Sequence, residues 1–208
     1  FRAVVLDGEA AFVANGPLGL VVIIFAEDPE QNQQHILMDG VQNVQDIALE
    51  GEYAYIADGE YGLVIVDKEP LGEMSAIGQL DTPGKAVGIA VRGSYAYVAD
   101  SEYGLRIIDV SDPTDLYEVG SYDTPGLAVD ITLVGSLAYV ADSKGGLQVI
   151  NITNPAAPVS TAVIQNLGSA RGVAWSTGGF FVADADGGLM TFSTPPGVYS
   201  ISLPLTLR

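Results

Sequence analysis

One block of sequence returns along the whole chain. In Val87 to Asp109 it reads VGIAVRGSYAYVADSEYGLRIID, and the Asp that ends AYIAD, AYVAD, AYVAD and FFVAD falls at Asp58, Asp100, Asp142 and Asp184, 42 residues apart each time. A worn first copy, FRAVVLDGEAAFVANGPLGLVVIIF, keeps the turn Gly8 and the Gly19-Leu20 pair, with Asn15 standing 43 residues before Asp58. A fixed period of this length makes each copy one supersecondary unit that buries its apolar surface against its neighbours, which restricts the chain to a repeat architecture.

The five copies occupy approximately residues 1–40, 41–84, 85–126, 127–168 and 169–208 and form one domain. Within the third copy, two short strands meet at Arg92-Gly93, a second turn covers Ser101 to Gly104, and a third strand runs Leu105 to Ile108. A polar turn, SDPTD, then leads to a fourth strand over Tyr117 to Tyr122, matched by Met74 to Leu80, Val159 to Ile164 and, in the last copy, Val198 to Leu203. Turn signals every 8 to 12 residues or so favour an all-β fold, and no helix is expected. The third strands, LVIV, LRII and LQVI, are nearly continuous in apolar residues, whereas a strand with one wet face alternates. Both faces of each sheet must therefore be covered. Radially stacked four-stranded blades do this, so the expected fold is a β-propeller, either a closed ring of five blades or an arc of a larger propeller. Val4, Ile47, Ile89, Ile131 and Val173 are expected on the innermost strands, where they would give one core.

GLVIVD (Gly62 to Asp67) and GLRIIDVSDP (Gly104 to Pro113) resemble the LVIVD-repeat family of β-propellers, and the likeness covers nearly all of the chain. Copies one and five depart from it at Ile24 and Ser193, where the strand-ending Asp would stand. The resemblance implies a bacterial or archaeal protein, secreted or held at the cell surface, often large and multi-domain, and mostly without an assigned activity.

Composition narrows the partners. With 26 acidic against 8 basic residues the net charge is -18, which disfavours nucleic acid and anionic membranes. The longest apolar runs, such as Leu18 to Ala26, fall short of the roughly 20 residues that span a bilayer, so no membrane insertion is expected. There is no Cys, hence no disulfide framework and no thiol chemistry. Phe1 already lies inside the first copy, so the sequence reads as a mature or excised piece of something longer.

The repeated residues have structural reasons to recur. Gly51, Gly93 and Gly135 lie between the first two strands, where a tight hairpin needs φ > 0. Each strand-ending Asp opens a turn and is expected to accept a backbone N–H two residues on. Tyr55, Tyr97 and Tyr139 suit a half-buried pleated surface with the hydroxyl near water.

Because strands alternate in direction, the turn between strands two and three shares a face with the link to the next blade. That face gathers Asp58, Glu60, Asp81, Asp100, Glu102, Asp123, Asp142, Asp184 and Asp186, interrupted by Tyr61 and Tyr103. Tyr61, Tyr103, Glu60, Glu102, Asp81 and Asp123 are the candidate ligand-binding set, suited to a protein, a glycan, or a neighbouring domain or copy. The opposite face carries Pro70, Pro113, Pro155 and Pro158 in turns with fewer charges, suited to packing on another domain. DADGG (Asp184 to Gly188) resembles the start of a calcium loop, making Asp184 and Asp186 candidate Ca²⁺ ligands, but no bidentate Glu follows. No cofactor is otherwise expected.

Catalytic options are few. The single His, His35, leaves no Ser-His-Asp set in prospect. Asp46 and Asp130 occupy innermost strands, with Arg171 able to neutralise such a carboxylate near the channel. Two function classes follow: a non-enzymatic extracellular or cell-surface module that binds or spaces, and, as the alternative, a carboxylate hydrolase or lyase, with or without Ca²⁺, at the acidic face or channel mouth.

Overall fold

A computed structural model describes residues 2–8, 10–25, 33–37, 40–71, 73–165, 167–176 and 179–193. Its strands form five antiparallel sheets, each in simple up-and-down order. Blade 1 holds β1 (Ala3–Asp7), β2 (Ala10–Ala14), β3 (Leu20–Ile24) and β4 (Gln33–Leu37); blade 2 holds β5 (Asp46–Glu50), β6 (Tyr53–Ala57), β7 (Leu63–Asp67) and β8 (Ser75–Leu80). Blade 3 comprises β9 (Gly88–Arg92), β10 (Tyr95–Ala99), β11 (Leu105–Asp109) and β12 (Tyr117–Tyr122), and blade 4 comprises β13 (Asp130–Val134), β14 (Leu137–Ala141), β15 (Leu147–Asn151) and β16 (Val159–Ile164). Blade 5 has three described strands, β17 (Ala170–Ser176), β18 (Gly179–Asp184) and β19 (Gly188–Ser193). The expected strand over Val198 to Leu203 lies outside the described residues. Residues from the inner end of all five blades line one central channel, so the molecule is a five-bladed β-propeller. Among the described residues there is no helix, and none is long and apolar enough to cross a membrane.

Local chemistry sets each blade. The first hairpin closes through two residues, as between Arg92 and Tyr95, and Gly51, Gly93 and Gly135 have φ of 60°, 58° and 54°, the left-handed conformation such a turn requires. A bulge interrupts the pairing of the third and fourth strands at Ile65/Val66, Ile107/Ile108 and Val149/Ile150, which twists the outer strand. The third strands are covered on both faces as their composition demands: Leu63, Val64, Ile65 and Val66 are all at 0% exposure.

The core is not one body. It divides into four layers, one per junction between consecutive blades. Phe12, Leu20 and Val22 of blade 1 meet Ile47, Ile56 and Val64 of blade 2, and Tyr139, Leu147 and Val149 of blade 4 meet Val173, Phe180 and Val182 of blade 5. Tyr55, Tyr97 and Tyr139 belong to these layers and are buried instead of half-wet, because the next blade lies flat on the face that carries them. Tyr139 stacks at a ring separation of 4.0 Å on Phe180. The fifth junction, between blades 5 and 1, is different. Val4, in register with the buried Ile47, Ile89, Ile131 and Val173, is 63% exposed, so it stands outside the core expected for it.

Candidate functional site

The repeated Asp is a fastener between blades. Asp100 accepts the Thr82 hydroxyl at 2.6 Å and the Gly84 N–H at 2.9 Å, and Asp142 accepts the Thr124 hydroxyl at 2.5 Å and the Gly126 N–H at 2.8 Å. Asp58 takes the N–H groups of Gln42 and Asn43, and Asp184 those of Gly168 and Ser169. Each carboxylate thus holds the link that enters its own blade, 15 to 18 residues back in sequence. Of these four, Asp184 alone also takes the expected bond from the residue two on, Asp186 N at 3.3 Å, whereas at the ends of the third strands Asp67 and Asp109 do accept it, from Glu69 N at 3.0 Å and Ser111 N at 2.9 Å. In the turn itself the backbone carbonyl of Asp58 already accepts Tyr61 N–H, while the N–H groups of the link have no strand partner, so the carboxylate goes to them. Burial pushes Asp58, Asp100 and Asp142 up, whereas bonds from Ser169, Gly168 and their neighbours hold Asp184 down. All four are buried, so the exposed carboxylates of the acidic face are others.

What remains on that face centres on blades 2 and 3. Gly59 pairs with Ala86 and Ser101 with Ala128, so each turn lies against the following link. This brings Glu60 to Lys85 at 2.6 Å, and the Gln79 side chain donates to the Tyr61 carbonyl. A Cβ on Gly84 would lie 2.8 Å from the Tyr103 ring, so the link 81–86 runs between the turns bearing Tyr61 and Tyr103. Both rings are open to solvent, at 38% and 41% exposure, and Glu60, Glu102, Asp81 and Asp123 are exposed beside them. The structure therefore gathers these six residues on one face, while Asp184 and Asp186 sit apart on blade 5. Among the described residues no group of three or more His, Cys, Asp or Glu is placed to hold a metal ion.

Arg106 completes the face, and sequence reading passed over it. It rises from the apolar strand β11, is buried, and reaches Asp123 at 3.0 Å, Glu118 at 3.5 Å and Asp100 at 3.9 Å, with its guanidinium 5.6 Å from the Tyr103 ring centre. The available signal was a lone cation in LRII, where its neighbours carry LVIV and LQVI; a buried cation must find anions.

The channel offers a second cluster. A cavity of about 300 Å³ is lined by Arg2, Ala3, Gln45, Asp46, Val87, Val129, Asp130 and Arg171. Asp46 accepts Ile89 N–H at 2.9 Å and Asp130 accepts Val173 N–H at 2.7 Å, each clasping the blade after its own. A Cβ at Gly88 would meet the Asp130 backbone at 2.9 Å, so the glycines that alternate with these carboxylates leave them room. Burial pushes both up, Asp130 to about 6 with help from the Asp46 charge. His35 lies in β4, opposite Val22.

The model of the LVIVD repeat matches residues 42–76, 83–124 and 125–162. Among solved structures, the chain resembles a functionally unknown protein from Desulfotomaculum acetoxidans at 16% identity and a TM-score of 0.70, with 92% of this chain and 69% of that one covered. It also resembles the β-propeller domain of Cps50 (Swd1) from Myceliophteria thermophila at 16% identity and a TM-score of 0.69, covering 96% of this chain and 67% of that one. A third likeness is to the computationally designed Ika8 protein, at 7% identity and a TM-score of 0.67, where 92% of this chain spans only 57% of the other. At these identities the likenesses concern the fold alone. No curated protein matches the sequence.

Proposed function

The chain belongs to the LVIVD-repeat family, and from that premise we propose that it is a non-enzymatic binding module, acting outside the cell or at its surface, that captures a polypeptide carrying cationic side chains on its Tyr-bearing acidic face. The observation that supports this reading is the exposed pair Tyr61 and Tyr103, set among Glu60, Glu102, Asp81 and Asp123 on turns held by buried blades. Rigid aromatic rings supply contact area with little loss of side-chain freedom, and surrounding carboxylates steer a cationic partner and fix its register. The strands beneath are buried on both faces, so variation in these turns changes recognition without touching the core.

The test is a peptide and oligosaccharide array probed with the parent and with a Tyr61→Ala, Tyr103→Ala double variant. Lys- and Arg-rich peptides should bind the parent, weaken with added salt, and lose at least about tenfold in affinity with the double variant, at an unchanged melting temperature. Binding confined to neutral oligosaccharides would replace the peptide with a glycan. Binding that survives the double variant and disappears in Asp130→Asn would move the site to the channel and favour the carboxylate enzyme.

A further inference from the structure

Every interior junction of this propeller is built from the same positions. On the face turned to the next blade stand Tyr55 and Leu63, Tyr97 and Leu105, Tyr139 and Leu147, with exposures of 4%, 0%, 4%, 0%, 2% and 0%. Blade 5 carries Phe181 and Leu189 at those positions, aromatic and Leu again, yet they are 40% and 69% exposed. On the face turned to the preceding blade, Ile47, Ile89, Ile131 and Val173 lie between 3% and 7%, but their counterpart Val4 is 63% exposed and Leu6, further along the same strand, is 70%. Two interblade faces of conserved chemistry within this chain thus stand open toward each other, and direct contact of blades 5 and 1 does not cover them.

We propose that the seam between blades 5 and 1 is a docking site for one more four-stranded repeat of this same kind, carried by the same polypeptide. The occupant follows from continuity with the four established interfaces: the residues that cover Tyr55 with Leu63 are those of the next blade's β9 and β10, and the surface that Ile47 covers is blade 1's own. A blade brings both complementary faces at once. A second five-bladed copy does not fit as well, because Arg2 and Ala3 on one side of the seam and Arg171 on the other border one channel, so both open faces belong to one ring and call for an occupant that presents both complementary faces at once. The exposed apolar side chains at the seam are of the kind that mark an interaction surface.

The experiment compares the 208-residue chain with an extended chain in which a copy of residues 85–126 follows residue 208. The extended chain should melt higher by about 5 °C or more, and hydroxyl-radical labelling of Phe181, Leu189, Val4 and Leu6 should fall severalfold. Leu189→Asp should leave the melting temperature of the shorter chain unchanged and abolish the gain in the longer one. Unchanged melting and labelling on extension would overturn the proposal. So would a shorter chain that is already dimeric in light scattering and becomes monomeric with Leu189→Asp, since the occupant would then be a second copy.

Discussion

At the scale of single residues, carboxylates of the same type do opposite things according to what surrounds them. Asp100→Ala strands the Thr82 hydroxyl and the Gly84 N–H in a buried site and should cost about 2–3 kcal/mol, read as a fall in the urea midpoint. Asp186 is exposed on its turn, so Asp186→Ala should stay within about 0.5 kcal/mol, and a larger loss in metal-free buffer would contradict the fastener account. Asp130 provides a pH test. Its carboxyl is pushed from an ordinary 3.8 to about 6, so the folded state keeps a proton that the unfolded chain gives up. That contribution is fully present below about pH 4 and is lost as the pH rises through 6. Asp130→Asn cannot ionise and keeps one acceptor, for Val173 N–H, while its amide nitrogen replaces the oxygen that accepts Ile131 N–H, so whatever the offset near pH 4, its stability relative to the parent should rise by about 2 kcal/mol between pH 4 and pH 7. A parent that gained on the variant with rising pH would reverse the sign. The sequence announces the Asp positions by their period, but their partners lie 15 to 18 residues back across a blade boundary, a distance that no local turn rule reaches.

At the scale of elements, the third strand of each blade is the most legible part of the chain. LVIV, LRII and LQVI have no polar side for water, and the structure covers both sides of all three. Ile107→Ala in β11 removes a side chain at 0% exposure from the layer between blades 3 and 4, and should cost about 2–5 kcal/mol in denaturant midpoints. A loss below that of Asp186→Ala would mean that the strand is not sandwiched. Arg106 in the same strand is the element's one departure, and its dispersion over Asp123, Glu118, Asp100 and Tyr103 explains why the sheet tolerates it. Tyr55, Tyr97 and Tyr139 read as half-buried because a single strand shows only its own pleat. Their full burial depends on the neighbouring blade lying close enough to cover the ring. Of the candidate site, the face shared by Tyr61 and Tyr103 was legible from strand direction alone, while the pairing of Glu60 with Lys85 and the insertion of the link beneath Tyr103 needed the bridge between Gly59 and Ala86.

At the scale of the whole molecule, stability is a sum over junctions, since each blade touches only its neighbours. Blades 2, 3 and 4 are covered on both faces; blades 1 and 5 are covered on one, with Val4, Leu6, Phe181 and Leu189 open at the seam. The blade number follows from the 42-residue period, but the openness of the fifth junction does not, because closure depends on the angle between blades and not on any one copy's sequence. The local free energy of opening should therefore rise from the seam inward. Native-state amide exchange checks this: the amides of β10 and β11 in blade 3 should exchange only on global unfolding, while those of β18 and β19 in blade 5 exchange through a smaller opening that leaves blade 3 protected. The fair comparison is β10 with β18, each paired on both sides by described strands, so a difference between these two arises from the neighbouring blade and not from an unpaired strand edge. Equal protection in blades 3 and 5 would show that the seam carries no deficit, and would remove the physical reason for a further blade there.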